Sequence, residues 1–192
     1  MTLRRGFLAQ AERQAARLRD ELGLEPADPV DIQAVAGHLG VRVVAADALV
    51  DITRLQELER IQAFAFSACT LEVNNAKIIV FNPLRSPART TSDIAHELAH
   101  IILGHRLDEV RVVAGTPFRT CRPDQEEEAT TLGGTLLLPR PLLLRAARRG
   151  LGATEVANEY GVTSEMARFR FHRTGVERQA RSTRTAVSRP SG

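Results

Sequence analysis

The chain has 192 residues, 43% of them hydrophobic but only 4% aromatic and none Trp, so aliphatic side chains must build one core, or one domain with a small appendage. Its formal charge of +3 is uneven: residues 140–192 hold eleven Arg against four Glu, a net of +7, and residues 1–139 carry the balancing −4. Cys69 and Cys121 lack C-x-x-C spacing, the first residues lack an apolar signal segment, and no window approaches the ~20 apolar residues of a membrane span; the expectation is a reduced, cytoplasmic protein that is not a membrane protein.

The first predicted helix runs from Arg5 to Leu22, with Phe7, Leu8, Ala11, Ala15, Leu18 and Leu22 along one side and Gly23 as its stop. A shorter helix covers Val30–Leu39 and ends at Gly40. Extended segments follow at Val41–Ala45, Ile61–Ser67, Thr70–Val73 and Lys77–Phe81, rich in β-branched and aromatic residues, with Asn74-Asn75 as a turn and Cys69 buried in a strand. These predict an α+β fold: several helices packed on a small, mainly antiparallel sheet.

The next helix carries the chemistry. Ser86 is its N-cap, Pro87 its first residue and Gly104 its stop, and Ile94, Leu98, Ile101 and Ile102 form the apolar stripe. Within it stands His96-Glu97-Leu98-Ala99-His100. Residues four apart share a helix face, so two imidazoles lie side by side and can hold one divalent cation. Glu97, on the flank, can reach a water held there without being a ligand itself. Two solvated histidines on an amphipathic helix would show the same spacing, but the caps and the off-core placement favour a metal site.

A hydrolytic zinc site needs a third protein ligand and an open position. His105 follows closely, but a residue just past a helix end points away from the His96/His100 face, so it reads as a surface or helix-terminal histidine with a secondary possibility near the substrate or its oxyanion. Residues 106–122 lack a steady period and read as a long loop that could wall a cleft. Beyond it, in Asp124-Gln-Glu126-Glu127-Glu128, Glu126 opens a helix running to Pro139. Glu126 is the candidate ligand, with Glu127 and Glu128 as alternatives. Gly133-Gly134 inside that helix costs about 1 kcal/mol per residue relative to Ala, which makes sense if the face must approach another helix closely. Acidic residues also simply favour a helix N-terminus.

After Pro139 the chain turns basic. Thr154–Tyr160, Gly161-Val162-Thr163 and Ser164–Phe171 resemble a helix-turn-helix, with Ala157 and Gly161 at the small-residue and turn positions. Arg168, Arg170 and Arg173 are then candidate nucleic-acid contacts. A helical hairpin that closes the preceding domain is the favoured alternative, because Arg170 falls where such motifs place an apolar residue. From residue 179 the composition is that of a disordered tail.

Together, H-E-L-A-H-I-I-L-G-H and E-E-E-A-T-T-L-G-G-T-L-L-L-P resemble the ImmA/IrrE family of metallo-endopeptidases, over roughly residues 5–175. The family pattern E-x-x-A-N-x-F-A-x-x-L-L-M-P, laid back from Pro139, puts its ligand glutamate on Glu126 and its alanine on Ala129. The family's Asn falls on Thr130, its aromatic on Leu132, its Ala on Gly133 and its Met on Leu138. The resemblance implies a minimal zincin-like domain over residues 1–140, a basic helix-turn-helix-like extension over 141–178 and a tail over 179–192. It implies one Zn²⁺ per chain (Mn²⁺ is the alternative ion) on His96, His100 and Glu126. Glu97 would be the catalytic base, and His105 or Tyr160 a donor to the oxyanion. The implied activity is zinc-dependent endopeptidase cleavage of an Xre-like transcriptional repressor, derepressing phage, mobile-element or stress genes. The competing reading is a regulator that binds DNA, or sequesters a repressor, without turnover.

Overall fold

Residues 3–63, 66–105, 110–113, 116–119 and 122–187 are described by the structure, a computed structural model. The first helix, α1 (Phe7–Glu21), buries Phe7, Ala11, Ala15 and Leu18. That is the side the sequence marks, except that Leu8 is 39% exposed. In α2 (Ile32–His38) the Asp31 carboxylate accepts from the Gln33 N–H, and Gly40, at φ +67°, turns the chain into β1 (Arg42–Ala45).

The next element departs from expectation. Ile52–Ile61 is a helix, α3, capped by the Asp51 carboxylate on the Thr53 N–H. Ile61 ends that helix rather than opening a strand, and residues 66 and 67 are irregular. Residues 64 and 65 lie outside the described residues, and the rest of the run is the helix end and irregular chain rather than an alternating strand. The hairpin is as predicted: β2 (Ala68–Val73) and β3 (Ala76–Phe81) pair antiparallel, Thr70 opposite Ile79. Asn74 and Asn75 both adopt positive φ (51° and 60°), as a two-residue turn matching strand twist requires. β1 joins the other side of β3 in parallel, giving the order β1-β3-β2, so β2 is an edge strand.

α4 (Pro87–Leu103) begins and ends where its caps say: the Ser86 hydroxyl accepts from the Arg89 N–H, and Gly104 is left-handed at φ +66°. The segment read as a long loop contains β4 (Val110–Val113) and β5 (Thr116–Arg119), an antiparallel pair; much of that segment, Cys121 included, lies outside the described residues. α5 (Pro123–Leu137) starts three residues before Glu126. It is followed by α6 (Arg140–Arg148), α7 (Ala153–Tyr160), α8 (Ser164–Thr174) and α9 (Val176–Val187). The tail expected from residue 179 is therefore helical to Val187, and Ala180 is 1% exposed.

One core cluster joins Ile79 of β3 and Leu98 of α4 to Leu142, Val156 and Phe171 of the C-terminal helices. A second joins Phe7 and Ala11 of α1 to Ala99 of α4 and Leu132 of α5. α4 and α5 thus lie between the two, sheet and C-terminal helices on one side and α1 on the other. Among the described residues no helix is long and apolar enough to cross a membrane.

Candidate metal centre

His96 and His100 project from one face of α4, and their Nε2 atoms stand 3.0 Å apart. Glu126, in the first turn of α5, closes the third side: Oε2 lies 3.1 Å from His96 Nε2 and Oε1 lies 3.4 Å from His100 Nε2. A tetrahedral ion with bonds of about 2.0–2.1 Å to its ligands has ligand–ligand edges of roughly 3.3 Å. The observed spacing fits that figure. The donor set fits too, because two imidazole lone pairs and a carboxylate facing one another are all acceptors, and a divalent cation satisfies all three. Among the described residues no fourth metal-ligating side chain joins the group.

The glycine pair explains how α5 comes close enough. A Cβ on Gly133 would lie 2.9 Å from the Ala95 carbonyl oxygen and 3.0 Å from the His96 nitrogen. Glu126 and Gly133 are seven residues apart and so share a face, which brings the carboxylate onto the histidines. Gly134 faces elsewhere: its Cβ would meet Met166 Sδ at 2.6 Å and Arg170 Cδ at 2.9 Å. Close approach, the reason suggested by the sequence, is what both positions show.

The neighbouring acids are engaged elsewhere. Glu127 accepts from Arg173 at 2.7 Å, and Glu128 pairs with Arg4 at 2.6 Å and His105 at 3.3 Å. Glu97 is 4% exposed, and the Thr70 hydroxyl of edge strand β2 donates to its Oε2 at 2.6 Å. No sequence signal marked Thr70; its role depends on β2 lying against α4.

Several expectations need correction. His105 is not a surface residue: its side chain is 6% exposed, and its Nδ1 sits 3.0 Å from His100 Nδ1, behind the ligand ring. Burial pushes its imidazole below the ordinary value. It therefore does not face the cleft as an oxyanion donor. Tyr160 does not either, since it lines a separate cavity with Asp31, Thr91 and Ile94. Arg170 is not available to a nucleic acid. It is 1% exposed, its Nε donates to the Leu138 carbonyl at 3.0 Å, and its Nη2 pairs with Glu12 at 2.7 Å. Arg19, 3% exposed, similarly donates to the Leu136 carbonyl, so two buried guanidiniums cap the C-terminal end of α5. Arg173 pairs with Glu127 and lies over the Phe169 ring, and Arg168 is exposed. Cys69 is in a strand but half-buried.

The centre opens into a cleft of about 630 Å³. Ala68 and Cys69 of β2 form one wall, Asp93, His96 and Glu97 of α4 the floor, and Met166 and Phe169 of α8 the opposite wall. The second helix of the helix-turn-helix-like segment, α8, thus lines the cleft of the metal centre.

The sequence profile of the IrrE N-terminal-like domain, Peptidase_M78, matches residues 36–172, more than two thirds of the chain, including α4, α5 and α7. No curated protein matches at a significant level. Among solved structures, a Mycobacterium tuberculosis transcriptional regulator is similar with a TM-score of 0.54 at 17% identity, over 83% of this chain and 45% of that one. The likeness is one of fold, and the chain spans less than half the length of that regulator.

Proposed function

The chain belongs to the Peptidase_M78 (IrrE N-terminal-like) family, and we propose that it is a zinc-dependent endopeptidase that cuts a cytoplasmic transcriptional repressor of the Xre-like, helix-turn-helix kind. The observation that carries the reading is the convergence of His96, His100 and Glu126, with donor atoms within 4.8 Å of one another, at the floor of a cleft that also holds Glu97. Zn²⁺ suits two imidazoles and a carboxylate. When bound there it supplies Lewis acidity, lowering the pKa of a water and polarising a carbonyl.

The chain's own residues do the rest. Glu97 takes the proton from the attacking water and passes it to the leaving amine. The Thr70 hydroxyl occupies Oε2 and so orients the carboxylate. An extended substrate segment adds alongside β2, which among the described residues pairs on one side alone, with β3. Met166 and Phe169 across the cleft receive apolar side chains. The repressor as substrate is supported by family membership and by the regulatory name of the structural neighbour.

The first test is metal content by mass spectrometry. Gently purified wild type carries about one zinc per chain and Glu126→Ala loses it. Wild type that retains no zinc after challenge with excess ion and desalting overturns the metallopeptidase reading. The second test mixes the zinc-loaded protein with an Xre-like repressor encoded nearby. Two fragments with wild type and intact repressor with Glu97→Gln support cleavage; intact repressor held in a complex with wild type favours sequestration instead.

A further inference from the structure

We propose that His105 and Glu128 are positioning residues that fix the tautomer and ring angle of the ligand His100, so that its Nε2 faces the metal position as a bare lone pair. The inference rests on the metal-centre reading and extends it to residues that the motif does not contain.

The geometry starts at the helix end. Gly104, in the left-handed conformation, donates to the Ile101 carbonyl at 3.2 Å, and His105 N–H donates to the His100 carbonyl at 3.0 Å. This double bond is the Schellman return, which folds the residue after the glycine back over the last helical turn. It sets His105 edge-to-face beside His100, ring centroids 5.0 Å apart. In most such returns the contact made there is apolar; here it is Nδ1 to Nδ1 at 3.0 Å.

The proton positions then follow from what each partner can do. A carboxylate only accepts. Glu128 Oε1 is held by the Arg4 guanidinium at 2.6 Å, and its Oε2 lies 3.3 Å from His105 Nε2. His105 therefore carries its hydrogen on Nε2. A neutral imidazole with Nε2–H has a bare Nδ1, which accepts. His100 supplies the donor, so its own hydrogen sits on Nδ1 and its Nε2 is unprotonated. That Nε2 is the atom directed at His96 Nε2 and Glu126 Oε1. Carboxylate, imidazole and ligand imidazole thus run in a line, the arrangement that fixes tautomer and ring angle in metal sites.

His96 has a weaker counterpart. Its Nδ1 lies 3.5 Å from the Thr130 hydroxyl, at the limit of a hydrogen bond. His100 is therefore the better-held ligand, and the chain Arg4–Glu128–His105–His100 ties the segment before α1 to the centre.

Two readouts test this, both independent of turnover. The first is zinc affinity by chelator competition. His105→Phe, which offers no acceptor, weakens binding by about 10–100-fold, and Glu128→Gln by a smaller factor. His105→Asn, whose Oδ1 can occupy the Nδ1 position, recovers most of the loss, which a merely space-filling role does not explain. Circular dichroism of the metal-free variants checks that each folds, and Glu128→Gln keeps side-chain size should His105→Phe fail. Wild-type affinity in folded His105→Phe or in Glu128→Gln overturns the proposal. The second readout is ¹⁵N–¹H correlation of the imidazoles in the metal-free wild-type protein. His105 with its proton on Nε2 and His100 with its proton on Nδ1 support the proposal, and the opposite tautomers overturn it. Because this measurement needs no zinc, a failure of the metallopeptidase reading shows only in the absence of zinc binding by wild type, separately from any failure of the relay.

Discussion

Two helix pairs in this molecule carry charged or titratable side chains at helical spacing, and the same spacing leads to different fates. In α4 and α5 the spacing brings His96, His100 and Glu126 together at a cleft. In α7 and α8 the series Arg168, Arg170, Arg173 reads as a basic recognition face, yet the three side chains go to solvent, to the core and to Glu127. Spacing fixes an angle around a helix axis; the neighbouring elements decide what that angle faces. In α4 the apolar stripe through Ile94 and Leu98 is complete, so the histidine face is fixed as the off-core side. In α8 the buried stripe runs Ala167, Arg170, Phe171, with a charge in the middle of it. That charge is tolerated because the C-terminal carbonyl of α5 and the Glu12 carboxylate receive it.

The largest expected effect tests the α4 side. On the proposed mechanism Glu97→Gln keeps the shape and the zinc but removes the base, and cleavage of the repressor should fall by about 10²–10⁴-fold. Fragment yield against time, with zinc content measured in parallel, checks it. Undiminished cleavage would remove Glu97 from the chemistry and leave α4 with a metal face and no base.

The second prediction tests the α8 side by stability. Arg170→Met leaves the Leu138 carbonyl and Glu12 without their partner, and denaturant unfolding should show a loss of about 3 kcal/mol. Arg168→Ala, at an exposed position, should stay within about 0.5 kcal/mol of wild type. The reverse order would make α8 a freely exposed basic helix after all.

Adjacent glycines on α5 sharpen the comparison within a single helix. Gly133→Ala drives a methyl against the backbone of α4, an overpacking cost of about 1–3 kcal/mol, only partly offset by the ~1 kcal/mol that Ala gains in helix propensity. The variant should also bind zinc more weakly, because Glu126 moves with α5. Gly134→Ala meets the Met166 and Arg170 side chains of α8 instead, so its cost falls on packing with α8 and zinc affinity should stay near wild type. Unfolding midpoints and chelator competition on the two variants decide it.

Legibility in the sequence follows the same division. Helix caps, the histidine pair and the two-residue Asn turn depend on residues adjacent in the chain, and the structure puts each where local rules say. Glu126 needed a packing guess, and the glycine pair was the sign that supported it. What the sequence hid depends on tertiary return. Thr70 reaches Glu97 only because β2 is an edge strand against α4. Arg19 and Arg170 are buried because a helix ends beside them, which no local pattern states. His105 is intermediate: Gly104 is a legible helix stop, and a Schellman return at that glycine implies contact between His105 and His100. The expectation that His105 points away treated the chain as leaving the helix straight.

The smallest effect bears on why α4 keeps charge on its cleft face at all. Asp93 stands one turn before His96 with its side chain 12% exposed, paired with the more exposed Arg89 at 2.9 Å. Burial raises its carboxyl above the ordinary value of 3.8, and the Arg89 hydrogen bond only partly counters this. The native state therefore binds this proton more tightly than the unfolded chain does. As pH rises from the ordinary carboxylate value through the raised one, stability falls, and it stays lower above that window. Asp93→Asn has no such window. The difference in melting temperature, variant minus wild type, should grow as pH rises from the ordinary carboxylate value through the raised one, while Arg168→Ala shows no comparable change. A difference that shrinks instead would mean that the Arg89 pair outweighs desolvation. Growth would mean that α4 retains a carboxylate at the cleft against the interest of the fold. That is the opposite of α8, where the buried charge holds the fold together.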